Sequence, residues 1–262
     1  MLIAITREVS RNMGQCELSH IPRQDIDIHI AGKQHAQYEG VLEDLGCKLI
    51  RLPEEPHLPD SVFVEDTAIV LDEVAIITRP GAETRRGETG SVSEVLSEYR
   101  TIVEIVSPGK IDGGDVLRMG RTLYVGITDR SNESGIMQLI DLVSPYDYEV
   151  VKVRVNGCLH LKSAVTAVGE DKLLLNRAWV DVKSFAGKSL IDVNAGESHA
   201  ANALWLNGAI VYPAAFPKTR RCLEDAGFVV RVVDVSELQK AEGAVTCCSL
   251  LFRDELSINN EL

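Results

Sequence analysis

The chain has 262 residues, of which 45% are hydrophobic and 25% charged, an ordinary balance for a globular protein. Its formal net charge of −12 at pH 7 argues against a nucleic-acid or anionic-membrane partner, because both of these are negatively charged and would be repelled by an acidic surface. A small cationic substrate is compatible with that charge. No run of 18 apolar residues and no signal-peptide pattern occurs, so we expect a cytoplasmic protein. No linker-like stretch divides residues 1–262, which we expect to form one domain. The sequence leaves open whether the protein forms a homodimer.

The cysteines indicate neither disulfides nor a structural metal site. Without an export signal a disulfide framework is not expected. The spacings also lack the gap of two to four residues that is typical of structural zinc ligands, so we expect no metal. The six cysteines are Cys16, Cys47, Cys158, Cys222, Cys247 and Cys248.

Two-stranded apolar units recur along the chain at a spacing of roughly 40 to 50 residues. A turn signal divides most of them, and Asn207-Gly208 is the strongest, because Asn-Gly between apolar runs is typical of a tight hairpin. The leading residue of a unit is usually a carboxylate, a histidine or a cysteine. The units span residues 65–79, 112–126, 160–176, 202–213 and 246–252.

Polar stretches with helical spacing follow most of these hairpins, and a connecting strand follows most of the helices. The predicted helices span residues 88–99, 131–142, 180–190 and 217–226, and the connecting strands 102–106, 149–153 and 229–233. Each module is then strand, strand, helix, strand, and residues 2–6 are placed to complete the last one. Such recurrence favours a closed ring of α/β modules facing one centre. Any α/β protein alternates strands and helices, however, so an ordinary α/β fold is the competing interpretation.

Cys247 and His160 lead the fifth and the third unit, and a ring would bring these distant residues together. A thiol with a histidine acid/base is a recognised catalytic pair. A free cysteine more often simply packs, and a lone histidine is more often structural. Cys247 and Cys248 should face opposite sides of a strand, and the sequence alone does not choose between them.

Carboxylates and arginines complete the set of candidate groups. Carboxylates near a thiol oppose its ionisation unless a cation binds among them, and a guanidinium would be such a cation. Either of two arginine-bearing segments, 79–88 and Arg130, could clamp a substrate carboxylate, although surface arginines are common. The candidate carboxylates are Asp60, Glu65, Asp66, Asp112 and Asp115.

At this point the sequence resembles the dimethylarginine dimethylaminohydrolases, members of the guanidino-modifying superfamily of five-bladed α/β propellers (pentein fold). The resemblance is carried, in family order and at family spacing, by residues 58–66, 77–88, 111–117, 159–163 and 246–249. It implies a hydrolase that converts N-omega-methylated arginines to citrulline through a covalent thiouronium intermediate. No cofactor is implied, because the cationic substrate is itself the electrophile.

The resemblance also implies a role for each site residue. Cys247 is the nucleophile, His160 the general acid and base, and Asp112 a third catalytic residue, although some bacterial relatives carry Glu at that place. Residues 14–20 resemble a mobile lid. The implied substrate-binding residues are Glu65 and Asp66 at the guanidinium, Phe63 packing against the substrate, Arg85 and Arg130 at the α-carboxylate, and Asp60 with the backbone of Leu18 and Ala241 at the α-amine.

Lys162 bears on the choice of substrate. In the related arginine deiminases and amidinotransferases, an aspartate that grips the unsubstituted guanidinium end stands two residues after the catalytic histidine. The lysine found here leaves room for N-methyl groups, which cannot donate the hydrogen bonds that a carboxylate needs. The alternatives are an arginine deiminase or amidinotransferase-like enzyme and a non-catalytic guanidino-binding homologue.

Overall fold

The computed structural model describes residues 1–254, which fold into short strands and a few helices. In chain order the strands are β1 (Leu2–Arg7), β2 (Cys47–Leu52), β3 (Ala68–Val70), β4 (Val74–Ile77), β5 (Thr101–Glu104), β6 (Val116–Met119), β7 (Thr122–Ile127), β8 (Glu149–Arg154), β9 (Val165–Ala167), β10 (Lys172–Leu175), β11 (Ser189–Asp192), β12 (Leu204–Leu206), β13 (Ala209–Pro213), β14 (Val229–Val233) and β15 (Leu250–Arg253). The helices are α1 (Ile28–Asp44), α2 (Thr89–Ser97), α3 (Glu133–Val143), α4 (Leu161–Ala164), α5 (Pro217–Asp225) and α6 (Ser236–Gln239).

The strands of residues 1–254 form five sheets of three strands each, with the orders β15-β1-β2, β3-β4-β5, β6-β7-β8, β9-β10-β11 and β12-β13-β14. In every sheet the middle strand runs antiparallel to the inner strand and parallel to the outer one. Inner strands of neighbouring sheets contact each other, as β15 does with β3 and β9 with β6 and β12. The five-bladed α/β propeller expected from the sequence is therefore confirmed.

The two ends of the described chain meet in one sheet. β1 pairs antiparallel with β15, so that Leu2 lies opposite Arg253, and parallel with β2. The prediction that residues 2–6 complete the fifth module is confirmed. Within residues 1–254, none of the helices combines the length and the apolar character that crossing a bilayer requires.

Local sequence explains where the modules turn and where their helices begin. Asn207 and Gly208 both adopt positive φ angles, 45° and 82°, as the tight turn between β12 and β13 requires. The Asn132 side chain accepts a hydrogen bond from Gly135 N at 2.8 Å and caps α3. Pro217 begins α5, where its missing N–H costs nothing.

The apolar core is divided among the wedges between neighbouring sheets. On α3, Ile136 and Leu139 are fully buried against strands of the first and second modules. On α2, Val92 and Leu96 fill the next wedge, between β4 and β1. Each such side chain contributes about 1.5–3 kcal/mol by leaving water. Because the cores lie in the wedges, the polar turns before the inner strands are free to meet at the axis.

Two parts of the chain differ from the sequence-based expectation. The helix predicted over 180–190 is wrong: this segment forms one 3-10 turn, Val182–Phe185, and then β11, which pairs with β10. Gly187 has a φ of 82°, which ends the turn, and Phe185 instead fills a buried position. The long helix α1 was not predicted, although the Asp27 side chain caps it by accepting a hydrogen bond from Ile30 N.

Candidate active site

The turns that precede the inner strands carry the polar residues singled out in the sequence. A 3-10 turn, Val64–Thr67, precedes β3, and another, Gly113–Asp115, precedes β6. His160 is the N-cap residue of α4 before β9, and Cys247 lies in the turn before β15. Each of these turns therefore brings its side chains to the axis of the ring.

Cys247 and His160 line the same cavity, which is nearly closed. Its volume is about 20 Å³, roughly the room that one water molecule needs. An arginine-sized ligand therefore requires part of the wall to move. The cavity is lined by Glu17, Asp60, Phe63, Asp66, Arg85, Arg130, Leu159, His160, Ala241, Glu242, Gly243 and Cys247.

His160 is buried between two carboxylates. Its Nε2 lies 3.1 Å from Asp112 Oδ2, at hydrogen-bond distance, and 3.9 Å from Asp66 Oδ1. Burial lowers the pKa of His160, but the charge of Asp66, the hydrogen bond with Asp112 and the charge of Asp115 outweigh burial and raise the pKa to about 9. The imidazole is therefore protonated at neutral pH and can act as a general acid.

Asp66 is held in its ionised form by the groups around it. Its Oδ1 accepts from Gly114 N at 2.9 Å and its Oδ2 from Arg85 Nη1 at 2.6 Å. Burial raises the pKa of Asp66, but the charges of His160 and Arg85 outweigh burial and hold the pKa well below its usual range. Gly114 is required here, because an added Cβ would lie 2.7 Å from both Asp66 Oδ1 and His160 Nδ1. A negative charge is thus fixed at the cavity wall.

Arg85 lines the cavity but is largely saturated by the protein's own acceptors. Besides Asp66, its guanidinium donates to Glu88 Oε2 at 2.8 Å and to the carbonyl of Phe63 at 3.1 Å. Burial raises the pKa of Glu88 to about 7 despite the charge of Arg85. The structure therefore uses Arg85 first of all to orient Asp66.

Asp112 and Asp115 lie behind the histidine rather than in the cavity wall, and both are fully buried. Asp112 Oδ1 accepts from Gly81 N at 2.7 Å while its Oδ2 faces His160. Asp115 accepts from Leu161 N at 3.0 Å, which fixes the start of α4 beside His160. Burial raises the pKa of Asp115 to about 6. Asp112 can orient the imidazole but does not line the space where a substrate would lie.

The two adjacent cysteines have different surroundings. Cys247 is partly buried and lines the cavity, whereas Cys248 is fully buried with its Sγ 3.4 Å from the carbonyl of Ala244. Burial, followed by the charges of Glu65 and Asp66, raises the pKa of the Cys247 thiol. The thiol is therefore neutral in the free protein at pH 7.

Arg130 also lines the cavity and offers a donor without a hydrogen-bond partner within residues 1–254. Its Nη1 is buried, lies 3.8 Å from Asp112 Oδ2, and has no hydrogen-bond partner within residues 1–254. Its Nη2 donates to Ser19 Oγ at 3.3 Å. An orphaned guanidinium nitrogen of this kind is costly unless an anion completes it, and a carboxylate matches its geometry.

Residues 14–20, the segment that resembles a lid, contribute Glu17 to the cavity wall and are fastened by acidic side chains. Glu242 accepts from the backbone N–H groups of Ser19, His20 and Ile21. Asp60 Oδ2 accepts from Glu17 N at 3.1 Å. These contacts fasten the segment to the loop before Cys247 and to Asp60.

The remaining implied site residues lie at different places. Ala241 and Asp60 line the cavity. Leu18 belongs to the lid and packs against the neighbouring apolar core. Glu65 faces the opposite side of the ring, where its Oε1 accepts from Lys162 Nζ at 2.6 Å. Leu18, Glu65 and Asp112 therefore do not line the cavity, whereas the other eight implied site residues do.

Four cavity residues were not singled out in the sequence: Glu17, Leu159, Glu242 and Gly243. Three of them flank residues that were: Leu18, His160 and Ala241. The structure explains why residue 243 is a glycine, because an added Cβ would lie 2.1 Å from the ring of Phe63. The aromatic ring is thus seated directly on the backbone of the loop before Cys247.

Asp66, Asp112 and His160 also form a set whose ligand atoms all lie within 4.8 Å of one another, close enough to hold a metal ion. Each of the three already has a partner in the protein, as described above. Their arrangement is therefore explained by the ion pairs of His160 with the two carboxylates.

Comparison with known proteins gives one consistent result. A family model described as N,N dimethylarginine dimethylhydrolase, eukaryotic, matches residues 10–250. The N(G),N(G)-dimethylarginine dimethylaminohydrolase of Streptomyces coelicolor is 38% identical over 253 residues, covering 96% of this chain and 97% of that relative. The enzyme of the same name from Pseudomonas aeruginosa is 35% identical over 222 residues, covering 84% and 87%. A solved structure of a Pseudomonas aeruginosa variant complexed with citrulline has a TM-score of 0.90 at 32% identity, covering 95% of this chain and 98% of that one.

Proposed function

Because the chain belongs to the dimethylarginine dimethylaminohydrolase family, we propose that it hydrolyses Nω-methylated arginines to citrulline and a methylamine. The observation that carries this proposal is that Cys247 and His160 line one closed cavity together with Asp66 and Arg130. A thiol, a protonated imidazole, a fixed anion and an unmatched guanidinium are the groups that a cationic amino acid requires.

The two ends of the cavity suggest how the substrate binds. The guanidinium lies against the ionised carboxylate of Asp66, next to Cys247. The α-carboxylate reaches Arg130, whose Nη1 lacks a partner within residues 1–254. The α-amine lies towards Asp60. Phe63, held against Gly243, packs on the aliphatic part of the substrate.

Binding of the cation also activates the nucleophile. The pKa of the Cys247 thiol is raised by burial and by the negative charges of Glu65 and Asp66. A guanidinium placed beside the sulfur offsets those charges, so the thiol loses its proton to solvent when the substrate is bound. The thiolate then attacks the guanidinium carbon. His160 donates its proton to the departing dimethylamine or methylamine as the C–N bond breaks, and a covalent thiouronium intermediate remains.

The second step uses the same histidine in its neutral form. His160 takes a proton from a water molecule, and the resulting hydroxide attacks the thiouronium carbon. The C–S bond breaks, the added hydroxyl group passes its proton to the departing Cys247 sulfur, and citrulline and the neutral thiol result. Asp112, hydrogen-bonded to the imidazole, holds the ring in position through both steps.

The floor of the cavity supports the choice of a methylated substrate. Lys162 occupies the place where deiminases carry an aspartate, and it directs its ammonium group to Glu65. Glu65 is thereby engaged on the far side and lines a different cavity. Asp66 is then the carboxylate that faces the guanidinium. A nitrogen that carries methyl groups therefore leaves no hydrogen-bond acceptor of the protein without a donor at this end.

A substrate competition tests the proposal against its alternatives. The ureido product is measured with four substrates at equal concentration: citrulline from dimethylarginine, monomethylarginine and arginine, and carbamoylputrescine from agmatine. We expect the methylated arginines to react fastest and agmatine, which has no carboxylate for Arg130, to react slowest. Faster citrulline release from arginine, with ammonia as the second product, would indicate a deiminase. Binding without a ureido product from any of the four would indicate a non-catalytic homologue.

We further propose that the reaction needs no metal or organic cofactor, since the substrate is the electrophile. Full activity after exhaustive dialysis against a chelator is expected, and loss of activity that a metal restores would contradict it. A cytoplasmic location remains a prediction, which cell fractionation would test, and the question of a homodimer stays open to analytical ultracentrifugation.

A further inference from the structure

Beneath the active-site cavity, four residues from four different modules form a ring of hydrogen bonds, which is closed through the backbone carbonyl of one of them. Lys162 Nζ donates to Glu65 Oε1 at 2.6 Å, and Thr246 Oγ1 donates to Glu65 Oε2 at 2.9 Å. Asn202 Nδ2 donates to Thr246 Oγ1 at 2.9 Å and to the carbonyl of Lys162 at 3.1 Å. We call Glu65, Lys162, Asn202 and Thr246 the floor ring.

Three members of the floor ring are joined through the chain to groups of the reaction. Thr246 precedes Cys247, Glu65 precedes Asp66, and Lys162 follows His160 by two residues. A backbone hydrogen bond from Glu65 N to the carbonyl of Cys247, at 3.1 Å, ties two of these turns directly. Asn202 is the exception, because no residue next to it lines the active-site cavity.

Asn202 nevertheless contacts the nucleophile turn at two points. Its Oδ1 accepts from Thr246 N at 3.1 Å while its Nδ2 donates to the hydroxyl of the same threonine. This two-point contact fixes the backbone directly before Cys247. The third bond, to the carbonyl of Lys162, fixes the first turn of α4, whose N-cap is His160.

The chemistry of Asn202 is specific for this place. Its amide must donate on one side and accept on the other, and the side chain is 4% exposed, so water does not replace a lost bond readily. Its donation to Thr246 Oγ1 also directs the hydroxyl proton of Thr246 towards Glu65. An aspartate has the same shape but cannot donate to either acceptor.

We propose that Asn202 is a positioning residue, which sets the distance between the turn that carries Cys247 and the helix that begins at His160. The proposal rests on the hydrolase function proposed above. It gives the fourth module, which opens on a residue with no catalytic chemistry, a part in the reaction. A displacement of a reacting group by about 1 Å can cost on the order of a hundredfold in rate.

The test compares Asn202→Ala and Asn202→Asp with Asn176→Ala. Asn176 is a matched control, because it is also buried and bonded on both sides, to Ser198 O and Ala178 N, neither of which lines the cavity. We expect kcat with dimethylarginine to fall about tenfold to a hundredfold in both Asn202 variants, with KM changed less than about threefold. Asn176→Ala should keep kcat within about twofold while losing thermal stability.

A second readout separates this proposal from the proposed function. The rate of Cys247 alkylation by iodoacetamide, followed against pH by peptide mass spectrometry, needs no turnover. We expect the pH profile of alkylation to shift in both Asn202 variants and to stay unchanged in Asn176→Ala. If the wild-type protein releases no citrulline from any substrate, the proposed function fails while this comparison still tests Asn202. Wild-type kcat and a wild-type alkylation profile in Asn202→Ala would overturn the proposal.

Thr246→Val guards against a variant that fails to fold. Valine matches threonine in shape and removes only the hydroxyl through which Asn202 and Glu65 are joined. We expect a fall in kcat of the same direction as in Asn202→Ala. If Thr246→Val and Asn202→Asp both fold and both keep wild-type kcat, the floor ring does not position the nucleophile.

Discussion

Two layers of the molecule are built from almost the same stretches of chain and do different work. The upper layer, Asp66, His160 and Cys247, lines the closed cavity. The lower layer is the floor ring, which closes the hydrogen bonds beneath it and of which Glu65, Lys162 and Thr246 line a separate cavity of about 300 Å³. The charges of the lower layer act on the thiol above it in opposite directions, because Glu65 raises the pKa of Cys247 and Lys162 lowers it.

The comparison shows that residues adjacent in the sequence can belong to different layers of the structure. Glu65 and Asp66 are adjacent, but successive residues of the 3-10 turn Val64–Thr67 point about 120° apart, so one carboxylate faces the floor and the other the cavity. Substitution in the reaction layer should therefore change mainly the rate, whereas substitution in the buried ion pair of the floor ring, Lys162 and Glu65, should change mainly the stability.

The largest expected effect separates the two adjacent cysteines. Cys247→Ser should lower citrulline release by more than about ten-thousandfold, because a serine hydroxyl is a far weaker nucleophile in the same place. Cys248→Ser should keep most of the activity and lose about 1–3 kcal/mol of unfolding free energy, because it buries a hydroxyl. Kinetic assays and urea unfolding of both variants check this. The reverse result would assign the reaction to Cys248.

His160→Gln should slow turnover about a hundredfold to ten-thousandfold, because the general acid and base is lost. The pKa of His160 is raised to about 9 in the folded protein, so the wild-type kcat should fall as pH rises through 9. The raised pKa of His160 also contributes to the free energy of unfolding. This contribution is fully present below pH 6.5 and is lost as pH rises from 6.5 through 9. The difference in unfolding free energy between wild type and His160→Gln should therefore shrink by about 3 kcal/mol over this range. A constant difference would contradict the protonated imidazole.

On the floor ring, Lys162→Met should act on stability more than on rate. It leaves Glu65, which is 7% exposed, without its counter-ion, and breaking such a pair costs about 3–5 kcal/mol. We expect kcat to fall less than about tenfold. Chemical unfolding together with kinetics measures both effects, and a loss of activity as large as that of His160→Gln would erase the distinction between the two layers.

The smallest expected effect concerns the lid. Glu242→Gln replaces a carboxylate that accepts from three backbone N–H groups, so the lid should open more often. Charged hydrogen bonds of this kind are worth about 1.5–3 kcal/mol, shared here between closure and binding. Hydrogen exchange at residues 19–21 should accelerate and KM should rise severalfold. Unchanged exchange at these amides would show that Glu242 does not fasten the lid.

Much of this arrangement could be predicted from the sequence, and there are physical reasons why the rest could not. The hairpins were readable because turn residues such as Asn207 and Gly208 mark them locally. The helix predicted over 180–190 failed because pairing of β11 with β10 overrode a weak local pattern. The roles implied for Cys247 and His160 remain predictions.

The geometry of the site was less readable than its residue types. Strand alternation was the wrong reason to separate Cys247 from Cys248, since both lie in the turn before β15. Residues missed in the sequence, such as Asn202 and Glu242, act through backbone groups of distant segments. No local pattern marks such long-range hydrogen bonds.

The central claim is that Cys247 attacks the guanidinium carbon and leaves a covalent intermediate. Rapid acid quench of the protein with dimethylarginine, followed by peptide mass spectrometry, tests it most directly. We predict an added mass equal to that of the substrate minus dimethylamine on the peptide that contains Cys247, located on that residue by fragmentation and missing in Cys247→Ser. Steady citrulline release by Cys247→Ser, or the adduct on Cys248, would contradict the account.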